Sequence, residues 1–165
     1  MTDQMVAANP TGIFDRSKKG TRLRPVVIPI ERGRIRFFAR VLGETDPIHF
    51  DVGEARAMGY PDLVAPPSFF MSIEAAANEE RARLGQTPVL KLINCDYRYL
   101  LHGDEHYEYF GLMFAGDEVS LTTTIVGFYE KKGGIMEFVT IESSLSHPVR
   151  GLLIRERRTL LHRLG

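Results

Sequence analysis

Four strand-like segments stand in a row at the C-terminal end of the chain: Leu100–Phe110, Glu118–Tyr129, Ile135–Ser146 and Leu152–Leu161. In the second, Val119, Leu121, Thr123 and Ile125 alternate with Ser120, Thr122 and Thr124, the period of a half-buried strand. The joints between them are short. Lys132-Gly133-Gly134 is a hairpin signal and Ala115-Gly116-Asp117 a second reversal. Strands joined this tightly pair antiparallel, because a parallel pair needs a crossover of a dozen or more residues. Such a sheet needs a cover for its apolar face, so the preceding segment must supply one.

The cover is predicted at Pro67 to Leu84. Pro67 suits the first helical position, where a missing N–H costs nothing. Phe69, Phe70, Ile73, Ala76, Ala77 and Leu84 form its apolar stripe, and Gly85 ends it. Before it, Ile35, Phe38, Ala39 and Leu42 fall at i, i+3, i+4 and i+7 among arginines, which predicts an amphipathic helix closed by Gly43. A short helical turn follows around Glu54 to Met58. Helices first and a run of hairpins after predict an α+β domain with an antiparallel sheet. The chain has 165 residues, one domain's worth. Residues 21–165 are expected to form that domain, and residues 1–20, rich in Asn, Pro, Gly and Lys, a flexible arm.

Charge excludes some partners. The net charge is zero, distributed as +4 over residues 1–50, −8 over 51–149 and +4 over 150–165. No general basic surface for nucleic acid is present. The basic ends either meet an anionic ligand, such as the phosphates of a carrier group, or balance the acidic middle. No segment approaches the roughly 20 apolar residues that span a bilayer. With a single cysteine, Cys95, and no apolar leader, a reducing cytoplasm is expected. No Cys/His cluster has metal-ligand spacing, and His102 and His106, four apart in a strand, stand roughly 13 Å apart. No metal is expected.

Chemistry concentrates in Gly43-Glu44-Thr45-Asp46-Pro47-Ile48-His49. Two carboxylates and an imidazole share six residues after a helix end. Pro47 pushes Asp46 into an extended conformation. A carboxylate and a histidine aimed at one water form a general acid/base pair. The same residues also read as a helix-ending Asp-Pro turn with a solvated histidine. The second feature is Ala65-Pro66-Pro67-Ser68-Phe69. The free N–H groups opening the long helix can receive an oxyanion, or simply form an ordinary helix start.

On these residues the sequence resembles the MaoC-like (R)-specific enoyl-CoA hydratases. Their motif runs Gly-Asp-x-Asn-Pro-x-His, then five residues to a small one, here Ala55. The flanks are similar to N-terminal-type MaoC dehydratase domains. The matching segments are the helix from Glu31 to Arg40, Ala65 to Phe69, the strand from Leu101 to Tyr109, and the turns at Ala115–Asp117 and Tyr129–Gly134. The resemblance spans about residues 25–161.

It implies a hot-dog fold, an antiparallel sheet wrapped around one long central helix. It also implies a dimer, either a homodimer or a heterodimer with a related subunit, and an acyl thioester of coenzyme A or an acyl carrier as substrate. No cofactor is implied beyond the coenzyme A of the substrate. In the family, the motif's Asp and His activate water for addition to a trans-2-enoyl thioester, and helix-start N–H groups polarise its carbonyl. Carried over, His49 takes the His position. Glu44 stands at the Asp position, one methylene longer, and Asp46 at the Asn position. Pro67, Ser68 and Phe69 take the substrate-binding segment. Phe110-Gly111-Leu112-Met113 stands where relatives often show His-x-Pro. A non-catalytic acyl-binding subunit is the second reading, and a hot-dog thioesterase a third.

Overall fold

The computed structural model describes residues 12–165. Its sheet has five strands: β1 (Val26–Pro29), β2 (Leu100–Tyr109), β3 (Glu118–Lys131), β4 (Met136–His147) and β5 (Gly151–Arg163). They are ordered β1-β3-β4-β5-β2, and every neighbouring pair is antiparallel. Among the described residues there are four α-helices: α1 (Arg32–Leu42), α2 (Val52–Ala57), α3 (Phe70–Arg83) and α4 (Val89–Leu92). This is the expected α+β hot-dog arrangement, with α3 packed on one face of the sheet.

The packing follows the predicted stripe. Phe69, Phe70, Ile73 and Ala77 are 0% exposed, and they share one core with Val119, Leu121, Leu145 and Ile154 of the sheet. Each large side chain so buried contributes about 1.5–3 kcal/mol. Two stripe residues lie outside it. Leu42 and Leu84 close α1 and cap α3, and both are largely exposed because the chain leaves the core surface at those turns.

The core-facing side of the sheet is built in rows. Leu121, Leu145, Ile154 and Tyr109 are register partners across β3, β4, β5 and β2. Two residues further along come Thr123, Ser143, Glu156 and Tyr107, a polar row in the same register. Beyond it lie Ile125, Ile141, Arg158 and Glu105. The polar row separates two apolar clusters, one under α3 and one around Phe14, Val89, Ile93, Ile125 and Leu160. Gly103 marks a bulge in β2, where a Cβ would stand 2.8 Å from the Thr159 carbonyl oxygen.

The flexible arm expected over residues 1–20 is corrected for residues 12–20; residues 1–11 lie outside the described residues. Phe14 is buried, with its ring stacked 3.9 Å from that of His162. The Ile13 and Phe14 amides donate to Glu137 Oε1 at 2.8 and 3.0 Å, and His162 Nδ1 lies 2.8 Å from the same oxygen. A carboxylate that is 1% exposed needs such donors, and they pin the segment.

The long helix also starts later than predicted. Residues 66–69 form a turn, with Phe69 N donating to the Pro66 carbonyl at 3.2 Å, and α3 begins at Phe70. Pro67 fits the second position of that turn as well as it fits a helix start. Ser68, at φ 61°, leaves the right-handed helical region and forces the break.

Candidate active site

The candidate loop, Glu44 to His49, hangs from the end of α1. Gly43 adopts φ 75°, and the amides of Gly43 and Glu44 donate back to Arg40 and Ala39 carbonyls at 3.1 and 2.9 Å, a closed Schellman end. Asp46 then caps a 3-10 turn over Pro47–His49, its carboxylate accepting from Ile48 N at 3.1 Å. Asp51 caps α2 in the same way, accepting from Glu54 N at 3.0 Å. Arg36 Nε donates to the Phe50 carbonyl at 2.8 Å and ties the loop back to α1.

These caps aim His49 inward. Its side chain is 6% exposed, so the solvated histidine of the Asp-Pro-turn reading is set aside. Nδ1 lies 2.7 Å from the Val64 carbonyl oxygen. A carbonyl can only accept, so Nδ1 carries a proton, and in the neutral ring Nε2 is the nitrogen that keeps its lone pair. Val64 is itself fixed, its amide donating to Ile48 O at 3.1 Å. Asp62, two residues earlier, holds a two-pronged contact with Arg32 at 2.9 and 2.6 Å and keeps the segment on α1. The Arg32 guanidinium beside Asp62 holds its carboxyl below the usual carboxylate range.

The carboxylates are less engaged. Glu44 is half-buried and Asp46 exposed. Among the described residues, neither makes a hydrogen bond or ion pair with His49. The loop carries all three groups, but only His49 is locked by side-chain contacts within the protein interior.

One residue beyond Val64 a pocket of about 320 Å³ opens. Ala65, Pro66 and Pro67 form one side; Tyr109, Leu112, Met113 and Ile154 are on the other. Hydrogen bonds from Ala65 N to Met113 O and from Ala115 N to Leu63 O, both 2.9 Å, hold the two sides in register. The apolar Phe110–Met113 stretch is thus mostly pocket wall. Of the three residues expected to bind substrate, Pro67 lines the pocket. Ser68 presents its amide to the Tyr109 hydroxyl at 3.2 Å. Phe69 has its side chain in the core, as the stripe predicted, edge-on to Phe38 at 5.5 Å, and its amide donates to the Pro66 carbonyl at 3.2 Å. Tyr109 and Ile154 escaped the sequence reading as pocket residues, since only the pairing of distant strands brings them to one place.

The C-terminal arginines are largely spent. Arg150 pairs with Asp117, Arg155 with Glu108 and Arg157 with Glu142, the last two at 2.9 Å, and Arg158 pairs with Glu74. Of the two readings of the basic ends, balance of the acidic middle fits residues 150–158.

A buried imidazole with two carboxylates on its loop is able to take part in proton transfer, and an apolar pocket opens one residue beyond its carbonyl partner. Residues 17–152 match the model of the FAS1-like dehydratase domain region. A UPF0336 protein of Streptomyces coelicolor is 37% identical over 114 residues, covering 68% of this chain and 71% of that protein. The fold is similar to a chain of the C-terminally truncated HadBC (3R-hydroxyacyl-ACP dehydratase) complex of Mycobacterium tuberculosis. The TM-score is 0.69 at 21% identity, covering 87% of this chain and 96% of that one. It is also similar to the R-hydratase PhaJ1 of Pseudomonas aeruginosa, with a TM-score of 0.63 at 12% identity, covering 89% of this chain and 83% of that one. No helix among the described residues is long and apolar enough to cross a membrane. With the match over most of its length, the chain belongs to the FAS1-like dehydratase domain region family, and its fold is the hot-dog fold.

Proposed function

We propose that this domain catalyses the reversible addition of water to a trans-2-enoyl thioester, giving the (R)-3-hydroxyacyl thioester. The observation that carries the reading is His49: it is buried and held through Nδ1 by the Val64 carbonyl, and the next residue, Ala65, lines the apolar pocket, although His49 itself does not. Water oxygen bonds to C3 while its proton passes to Nε2 or to Glu44. The double-bond electrons move toward the thioester carbonyl, and the group that took the water's proton returns one to C2, so that one water is added in sum. The acyl chain lies in the pocket. The handle is coenzyme A or an acyl carrier, and no other cofactor takes part. A cytoplasmic setting goes with this chemistry.

The test is hydration of enoyl thioesters of several chain lengths by the purified protein, followed by loss of the enoyl absorbance. Glu44→Gln is expected to lower turnover about 100-fold, because the amide cannot accept a proton. Asp46→Asn is expected to change it little, because Asn caps a helical turn about as well as Asp. Glu44→Asp keeps the carboxylate and is expected to retain activity. If Asp46→Asn proves the more damaging change, Asp46 is the working carboxylate.

The second reading, an acyl-binding subunit of a heteromeric dehydratase, draws on the absence of any bond between Glu44 and His49. The HadBC protein similar in fold is a complex. Binding of an enoyl thioester with turnover only after a related subunit is added would favour it.

We also propose a dimer formed through β2. This strand is ten residues long, lies at the sheet edge, and leaves Leu101 and Tyr109 about half exposed. The opposite edge, β1, has four residues and ends in Pro29. A long unblunted edge invites pairing. Light scattering at micromolar concentration is expected to give about twice the 18.7 kDa of the chain. A monomer mass would count against it.

A further inference from the structure

We propose that the Tyr109 hydroxyl is a hydrogen-bond donor to the thioester carbonyl oxygen, acting beside the Ser68 amide. This rests on the enoyl-thioester reading above and assigns a new group to it. Ser68 sits at φ 61°, a conformation in which a non-glycine residue is strained. Its amide stands outside the α3 ladder and donates to Tyr109 Oη at 3.2 Å. That oxygen therefore occupies the place an acceptor would take at this amide. Among the described residues, the hydroxyl's own proton has no acceptor.

The position of the hydroxyl is fixed by packing. Tyr109 ends β2, in register with Ile154 of β5, and both line the pocket. Its ring lies 6.0 Å from that of Tyr107 at 29°. Tyr107 is held edge-on by Phe70 at 5.8 Å and through its hydroxyl by Glu105 at 2.8 Å. The ring is thus braced by Tyr107, while Tyr109 remains 50% exposed.

A carbonyl oxygen entering between these two groups accepts from both. It takes over the Ser68 N–H, and the Tyr109 hydroxyl turns its proton onto the same oxygen. No proton is transferred. As water adds at C3, negative charge grows on this oxygen and both bonds strengthen. Donors already in place cost no reorganisation at that moment. The strained Ser68 turn and the tyrosine then belong to one device, which explains why a half-exposed tyrosine is used as a placeholder on an otherwise free amide.

Tyr109→Phe is the test. The ring and its stacking on Tyr107 stay, so the melting temperature is expected to match the parent. Turnover should fall about 100-fold or more with KM changed less than about threefold, the pattern for a donor used mainly in the transition state. A second readout does not need turnover. A cinnamoyl thioester bound to the protein should show a red-shifted absorbance from carbonyl polarisation. The shift should shrink in Tyr109→Phe and persist in His49→Ala. Unchanged turnover and an unchanged red shift in Tyr109→Phe would overturn the proposal while leaving the hydratase reading standing. A parent protein that neither binds nor hydrates any enoyl thioester would overturn both.

Discussion

Replacing His49 by alanine is expected to lower enoyl-thioester hydration by about 100- to 10,000-fold, the usual worth of a positioned acid/base group. The change has a structural cost too. His49 is buried, and its Nδ1 proton satisfies the Val64 carbonyl at 2.7 Å. Removing it leaves that carbonyl unpaired, at about 1–3 kcal/mol of stability. Turnover must therefore be compared at equal folded fraction, with the melting curve measured beside the rate. A protein that is less stable yet fully folded at assay temperature should still show the full kinetic loss. A rate that recovers once the folded fraction is matched would make His49 a structural residue and move the acid/base role to another group.

What the sequence made legible is local. The period of two in β3 and the Gly133-Gly134 turn are patterns within a dozen residues, and the sheet follows them closely. The loop from Gly43 to His49 was legible for the same reason: its caps reach two or three residues. Misreadings came where local signals are shared. Pro66-Pro67 opens a turn as readily as a helix, and nothing nearby reveals the positive φ of Ser68. Other features depend on distance. Phe14 reads as part of a polar arm until Glu137, 123 residues away from it, supplies an acceptor for its amide. Tyr109 meets Ser68 across 41 residues. The pocket wall exists only because Ile154 of β5 is in register with Tyr109 of β2. Apolar periodicity says which side of a strand is buried, but not which strand stands beside it.

The polar row one step behind that wall leads to the largest stability effect expected. Glu156 is 0% exposed, and neither carboxylate oxygen reaches a hydrogen-bond partner at good geometry. Arg158 Nε stands 4.0 Å away, but its guanidinium is committed to Glu74. Burial pushes the Glu156 carboxyl up to about 8 from an ordinary 4.5; Glu105 and Glu142 add to this, and the Ser143 hydroxyl acts in the opposite sense. Between those two values the folded chain holds a proton that the unfolded chain releases. Stability therefore falls as pH rises through this window and levels off above it. At about 1.4 kcal/mol per pH unit, the full cost is on the order of 5 kcal/mol. Glu156→Gln keeps the shape without the ionisation. It is expected to match the parent near pH 4 and to be several kcal/mol more stable at pH 9, as measured by urea unfolding across the range. A difference between the two proteins that does not change with pH would mean that Glu156 is not the group responsible.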